Sequence, residues 1–392
     1  MPSSKKMMMA AAGAGGGGGG ELWFWGEQQA NGGSGLGTVT PNYSSPVQVG
    51  AETDWEKVFS LPLYENAFVA ALKTDGTIYR WGYNAQGQLG VQDIVSHSSP
   101  VQLGAANDYE TVHNTNVYAS HYYKSNGTIW CSGYNEGGIL GITGANRFSS
   151  PVQIGALTDW TAVRGGQRAV FATKSDGTIW SWGDNVTYGA TGQGTTTGTI
   201  TSPTQIGSLT DWTAYFVTSG DDETCFVKKT DGTIWAWGAG DGGCFGAGQT
   251  PARFSSPVQV TADTDWAVLA VTQDYAALAI IKDDGSLWTM GTVGTLGLQG
   301  VPPNPLGRSS PIQVGALTDW ASVEACRNCF YATKTDGTIW AWGSASLGQL
   351  GIGLALADFA AGCSSPTQIG SLDTWLSVGA SGNAGFGIKT PS

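Results

Sequence analysis

The sequence predicts an all-β fold, a seven-bladed β-propeller of four-stranded antiparallel blades. Three observations predict it. A Ser-Ser-Pro element or close variant recurs seven times, with its prolines at Pro46, Pro100, Pro151, Pro203, Pro257, Pro311 and Pro366, spaced by 51 to 55 residues. A Trp-rich segment ending in Gly also recurs seven times, from LWFWG at Leu22 to IWAWG at Ile339. An Asp-Trp pair or its variant does the same, from Asp54-Trp55 to Thr374-Trp375. Units of this length that repeat along a whole chain are the mark of a ring or a stack of supersecondary units.

Each unit reads as four short strands, a to d. In residues 160–207, strand a is WTAVRGG from Trp160 and strand b is AVFATK ending at Lys174. The Ser175-Asp176-Gly177 turn follows, and Asp-Gly between apolar runs is a strong hairpin signal. Strand c is TIWSWG from Thr178. A Gly-rich loop leads to strand d, PTQIG from Pro203. Proline brings no ladder donor, so strand d is expected at the outer edge.

One blade has to be assembled from both ends of the chain. The N-terminal part supplies strands c and d, Leu22 to Gly26 and Pro46 to Gly50. The C-terminal part supplies strands a and b, Trp375 to Gly379 and Phe386 to Thr390. Complementary halves predict a closed ring with two-plus-two closure, where an open solenoid would want polar caps. The expected organisation is a flexible Gly-rich leader over 1–20 and a propeller over 21–392, its shared blade made of 21–50 and 371–392.

Composition narrows the function classes. Sixty glycines and 12% charged residues suit strands and tight turns, and 11% aromatic content argues against disorder. A net charge of −12 argues against a general nucleic-acid binder. No apolar run reaches the roughly 18 residues of a membrane span. Lys5 and Lys6 ahead of Met7 to Ala12 imitate a secretion signal, but the apolar stretch is too short for one. Cys131, Cys225, Cys244, Cys326, Cys329 and Cys363 have no framework spacing and read as free thiols. The alternative for the lone Cys326-x-x-Cys329 is a local redox pair.

The motif KxDGTIWxWGxNxxGQLG followed by SPxQI, as in Lys73 to Gly90 with Ser99 to Leu103, resembles the regulator-of-chromosome-condensation repeat family. The resemblance covers about residues 21–392 and implies a seven-bladed propeller. It implies little about activity, since the family ranges from nucleotide exchange to photoreception and enzyme inhibition, and fold is not function. The basic tail of the chromatin-bound exchange factor has no counterpart beyond Lys5 and Lys6. The Gly-Trp-Arg-His-Thr repeats of the ultraviolet-B photoreceptor do not occur here. The leader, MPSSKKMMMAAAG, resembles leaders on proteins of marine tailed phages.

The strand order predicts two unlike faces. The b–c turns and d–a links form a monotonous face of Asp-Gly turns and Leu-Thr-Asp links. Its eleven repeated aspartates read first as turn and capping residues. Lys73, Lys124, Lys174, Lys229, Lys282, Lys334 and Lys389 sit close by. The a–b and c–d loops form the other face, and the c–d loops differ in every unit. Variable loops on a rigid scaffold are where binding resides. Arg147, Arg253 and Arg308 recur just before the Ser-Ser-Pro element. They are the candidate binding residues, as a partial cationic ring for a carboxylate or sugar acid; the structural alternative is a tie to a neighbouring blade. Both chain ends approach the b–c turn of the shared blade, so the leader is expected on the monotonous face.

No catalytic constellation emerges. His97, His113 and His121 share one unit without a third metal ligand, and no Ser-His-Asp arrangement or phosphate loop is present. Neither a metal nor a cofactor is expected. All 17 tryptophans fall in strand c or at the start of strand a, where they are expected as mortar between blades. The functional expectation is a non-enzymatic binding or structural module. Its most concrete form is a phage virion component, on capsid surface or tail, presenting the variable face to a host glycan or protein, with a virion or extracellular location and protein partners. The first alternative is a cellular or secreted interaction propeller, cytoplasmic if cellular. The second is a carbohydrate-active propeller enzyme, which needs two carboxylates facing a cleft.

Overall fold

The computed structural model describes residues 19–391 except 29–30, 39–41, 60–67, 116–117, 145, 187–188, 218–223, 241–244, 246–252, 273–276, 292–307, 354–362 and 372–373, and the side chains of 214–217. Most of the leader, Cys244 and much of the c–d loops of blades 4, 5 and 6 therefore lie outside the described residues. Within them are seven four-stranded antiparallel sheets. Blade 3 is representative: Trp160–Gly165, Ala169–Lys174, Ile179–Asp184 and Thr199–Gln205 pair in that order. The inner strands of all seven blades touch their neighbours in turn, Trp375–Ser381 of blade 7 meeting Trp55–Phe59 of blade 1. That contact closes the ring.

Blade 7 is built from both halves of the chain. Its order is Trp375–Ser381, Ala384–Lys389, Glu21–Gly26 and Tyr43–Gln48. The join reproduces the turn it interrupts. In blades 2 and 3 the turn glycine accepts from the next inner-strand Trp, Trp160 N–H to Gly127 O at 3.1 Å and Trp212 N–H to Gly177 O at 3.2 Å. Gly20 takes that role at the join, accepting from Trp55 N–H at 3.1 Å. The chain thus enters the ring at Gly20 on the monotonous face.

The outer strands begin earlier than the prolines suggest. In blade 3 the strand starts at Thr199, four residues before Pro203. Ser181 pairs with Thr204 but Gly183 pairs with Ile200, so the outer strand carries two extra residues at the Ser-Pro element. The same slip occurs in blade 2 between Phe148 and Val152. The element is a bulge within the strand, which is how a proline is accommodated there.

The tryptophans of strands a and c, three each in blades 3, 4, 6 and 7, divide into two jobs. Trp180 meets Trp160 of its own blade edge-on at 5.9 Å, and Trp235 meets Trp212 at 6.2 Å. Trp182 and Trp237 are fully buried and reach the blade before, donating from Nε1 to Ile139 O at 2.9 Å and Ala190 O at 3.0 Å. The mortar between blades is the second Trp of strand c; the first belongs to its own blade. One further residue, Arg80, locks blade 1 to blade 2 with no sequence repeat behind it. It is fully buried and donates to Tyr122 Oη at 2.9 Å, Ser120 Oγ at 2.9 Å and Asn114 Oδ1 at 3.2 Å. Burial draws its pKa below the usual arginine value.

The cysteine expectation needs correcting at one pair. Cys326 and Cys329 form a disulfide across the a–b hairpin of blade 6, with Cα atoms 5.1 Å apart. The hairpin brings the two ends of the short spacing together, and spacing alone does not show a hairpin. Cys131 and Cys363 are free thiols.

Candidate binding face and axial channel

The monotonous face satisfies its own charges. Lys174 ends strand b, with its ammonium 4.9 Å from the Trp160 ring and 4.4 Å from the Trp180 ring. Asp159 in the preceding link lies 3.4 Å from it. Lys124, Lys229 and Lys334 repeat the arrangement with Asp108, Asp211 and Asp319. The turn aspartates are busy elsewhere. Asp176 Oδ1 accepts from Thr178 N–H at 2.9 Å and its hydroxyl at 2.7 Å, and that hydroxyl accepts from Trp180 Nε1 at 2.8 Å. The Thr178 hydroxyl and N–H hold the Asp176 carboxyl below the usual carboxylate value.

The variable face has a fixed base and free tips. In blade 1 the c–d loop buries Asn84, Gln88 and Leu89. Asn84 Oδ1 accepts from Leu89 N–H at 2.9 Å, and Asn135 does the same for Leu140 in blade 2. The loop then reaches the next blade: Gln92 N–H donates to Ser149 O at 2.8 Å, as Gly194 N–H donates to Ser255 O at 2.6 Å. Gly87 must be glycine there, because φ is +77° and an added Cβ would lie 2.8 Å from Ser149 Cα. Beyond this base, Ile94 and Val95 are 52% and 62% exposed. Asp93 holds that tip in shape, accepting from Asn84 Nδ2 at 2.7 Å and Val95 N–H at 3.1 Å, with His97 Nε2 3.0 Å away. In blade 3, Val186 is 59% exposed.

The three candidate arginines open outer strands at the rim, but not in one register. Arg147 pairs with Tyr134 and Arg253 with Ala239, one position beyond the strand-c glycine. Arg308 pairs with that glycine itself, Gly291. A one-residue offset turns a side chain to the other sheet face. Arg147 and Arg253 are accordingly exposed and Arg308 half-buried. Arg147 lies 6.0 Å over the Tyr134 ring of its own blade. Blade 3 separates Arg147 from Arg253, so the three do not converge.

The charges that do converge are on the inner strands, at the axis. The fourth residue after the opening aromatic is Phe59, His113, Arg164, Ala270, Glu324 or Gly379 in six of the blades. The Arg164 guanidinium donates to the His113 imidazole, with Nε2 at 2.6 Å and Nδ1 at 3.0 Å from Nη1. Burial, Arg164 and Lys57 hold His113 well below the usual histidine value, so the ring is neutral. Lys57 is exposed on the inner strand of blade 1, its ammonium 5.4 Å over the Phe59 ring. Burial and Arg164 lower its pKa, opposed by Glu324 and Glu56. Sequence reading weighed His113 only as a metal ligand and passed over Lys57, Arg164 and Glu324, which fall at unremarkable places within separate repeats.

The other histidines are also placed. His113 and His121 are cross-strand partners, as their spacing allows. The Thr115 hydroxyl lies 2.7 Å from His121 Nδ1, and burial lowers His121 to about 3. Among the described residues no three His, Cys, Asp or Glu side chains gather as a metal site, and no helix is long and apolar enough to cross a membrane.

Comparison with known proteins names the repeat. The family model for the Regulator of chromosome condensation (RCC1) repeat matches residues 75–117, the hairpin turn, Trp strand and loop of blade 1 with the start of blade 2. The chain carries a match to this repeat in blade 1 of its seven-bladed propeller. It is 26% identical over 288 residues to human E3 ubiquitin-protein ligase HERC2, covering 71% of this chain and 6% of that protein. To the Arabidopsis thaliana ultraviolet-B receptor UVR8 it is 26% identical over 292 residues, covering 72% of this chain and 64% of the receptor. The fold agrees with yeast RCC1 (Prp20), solved bound to Kap60, at a TM-score of 0.80 and 17% identity over 100% of this chain and 93% of that one. Human WBSCR16 matches at 0.77 and 17% identity, over 95% of this chain and 100% of that one.

Proposed function

We propose that this repeat propeller is a cellular protein-interaction module that holds a protein partner on its variable face without covalent chemistry. The observation that carries the reading is the construction of the blade 1 loop. Its base is locked between two blades, while Ile94 and Val95 stand in water on an Asp93 brace. Preordered apolar side chains on a rigid base bind with little ordering cost. The exposed leucines of the opposite face, Leu157, Leu209 and Leu317, stand singly, one per link, beside acidic residues. Scattered apolar residues need no function.

The comparisons support a binding role. Yeast Prp20 was solved with Kap60, and Prp20p is described with its binding to Gsp1p and histones. This chain's own partner is a separate question, because the shared identity is low. The named relatives are cellular proteins and lend nothing to a virion or host-attachment role, so the cellular reading is preferred here.

The test uses the full chain as bait in cell extract, with partners identified by mass spectrometry. Ile94→Asp with Val95→Asp is expected to release the bound partner at unchanged stability. Leu209→Asp on the opposite face is expected to retain it. Equal retention by both variants would remove the variable face from the reading.

A further inference from the structure

We propose that Ser150 is a phosphorylation site for a proline-directed kinase, and that a phosphate there releases the blade 1 loop tip. Ser150 lies in the outer strand of blade 2, Arg147–Gln153, which is the edge of its sheet. Phe148 pairs with Gly133 and Val152 with Cys131, so Ser149, Ser150 and Pro151 bulge out of the ladder. Ser150 is exposed.

The neighbouring residues suit such a kinase. Proline has no N–H to satisfy, so it fits an apolar seat for the residue after the serine. Arg147, also exposed, stands three residues before Ser150, and kinases select substrates by charges placed in this way. A Ser-Pro pair recurs in all seven blades, but only Ser150 and Ser256 have an arginine three residues ahead. Modification follows phosphoryl-transfer chemistry. The Ser150 oxygen attacks the γ-phosphorus of Mg-ATP, the bond from that phosphorus to the bridging oxygen breaks, ADP leaves, and the hydroxyl proton passes to the base of the kinase.

The seam beside Ser150 departs from the repeat. At three other seams a loop glycine of one blade is fastened to the first serine of the next. Gly37 N–H donates to Ser98 O at 2.7 Å, Gly194 N–H to Ser255 O at 2.6 Å and Gly353 N–H to Ser44 O at 2.8 Å. A Cβ added to these glycines would lie 3.3 to 3.4 Å from the hydroxyl of the second serine, Ser99, Ser256 or Ser45. At blade 2 the fastening residue is Gln92, which donates to Ser149 O at 2.8 Å. Gln92 has φ +73°, the one positive φ outside glycine among the described residues. By the repeat its side chain starts beside the Ser150 hydroxyl, in a backbone conformation that carries strain. Asp93 follows it and braces the tip. A phosphate adds about −1.5 to −2 of charge at this seam, crowding Gln92 and repelling Asp93. The strained residue then lets go, and the tip with Ile94 and Val95 goes with it.

For the test, the folded full chain is incubated with Mg-ATP and a proline-directed kinase that favours arginine three residues before the serine. Mass spectrometry maps the sites. Phosphate on Ser150 is expected, lost in Ser150→Ala and slowed about tenfold in Arg147→Gln. Hydrogen exchange then compares the phosphorylated and unmodified chains. The Gln92 and Val95 amides are expected to exchange about fivefold faster after modification, and to recover on phosphatase treatment. Gln92→Gly relieves the strain and is expected to shrink that acceleration. No phosphate on Ser150 from a kinase active on a reference peptide, or an undiminished rate in Arg147→Gln, overturns the site. Unchanged exchange in the phosphorylated chain overturns the switch. Access to a kinase rests on the cellular reading above, whereas the exchange measurement needs no partner, so the two fail separately.

Discussion

The two faces of the ring come from the same seven repeats and treat charge in opposite ways. On the monotonous face Lys174 is clamped between the Trp160 and Trp180 rings and paired with Asp159. On the variable face Ile94 and Val95 point into water, and Arg147 lies over its own Tyr134 with its side chain exposed. The first face spends its polar groups on the fold. The second confines that use to its loop bases and leaves the tips available. Repetition is therefore a sign of structural duty here, and departure from the repeat marks where function is to be sought.

The largest expected effect separates the two tryptophans of one strand. Trp182→Ala removes a fully buried ring and its bond to the blade 2 loop, so a loss of about 3–5 kcal/mol is expected in denaturant unfolding. Trp180→Ala, half-buried above Lys174, is expected to cost about 1–2 kcal/mol. Equal costs would break the division between inter-blade mortar and in-blade clamp. Lys174→Met comes next. It keeps the apolar stem but loses the ion pair and both ring contacts, and about 1–2 kcal/mol is expected, shrinking little in high salt because the ammonium is shielded.

An acid titration sharpens the account of the turns. Asp231 is held below the usual carboxylate value by the Thr233 hydroxyl and N–H. Its folded pKa is depressed, so its contribution is present above the unfolded value of about 3.9 and is lost as pH falls through the folded one. Asp231→Asn should leave neutral stability nearly unchanged and flatten the acid limb of melting temperature against pH. Asn126, which makes the same bonds to Thr128 in blade 2, shows that the amide suffices. A steep loss at neutral pH would contradict this. The smallest effect belongs to the free tips: Ile94→Asp with Val95→Asp is expected to shift stability by no more than about 0.5 kcal/mol.

Much of this was legible in the chain itself. Seven copies of three elements gave the blade number, the strand order and the two-plus-two closure, because each repeat is one supersecondary unit and the halves at the ends are complementary. Less legible was anything that depends on register across strands. Arg147, Arg253 and Arg308 all stand just before Ser-Ser-Pro, but Arg308 is one residue nearer to it, and pairing across the strands turns that single residue into the opposite sheet face.

The sequence by itself determined the ring and which residues hold it, because local periodicity and turn chemistry act over a few residues and repeat faithfully. Only the tertiary structure decided that Arg164 meets His113, that Cys326 meets Cys329, and that Arg80 ties blade 1 to blade 2. His113 and Arg164 lie 51 residues apart on separate blades, and Arg80 reaches partners 34 to 42 residues on. Their meeting depends on how strands are laid side by side, and no local pattern records that.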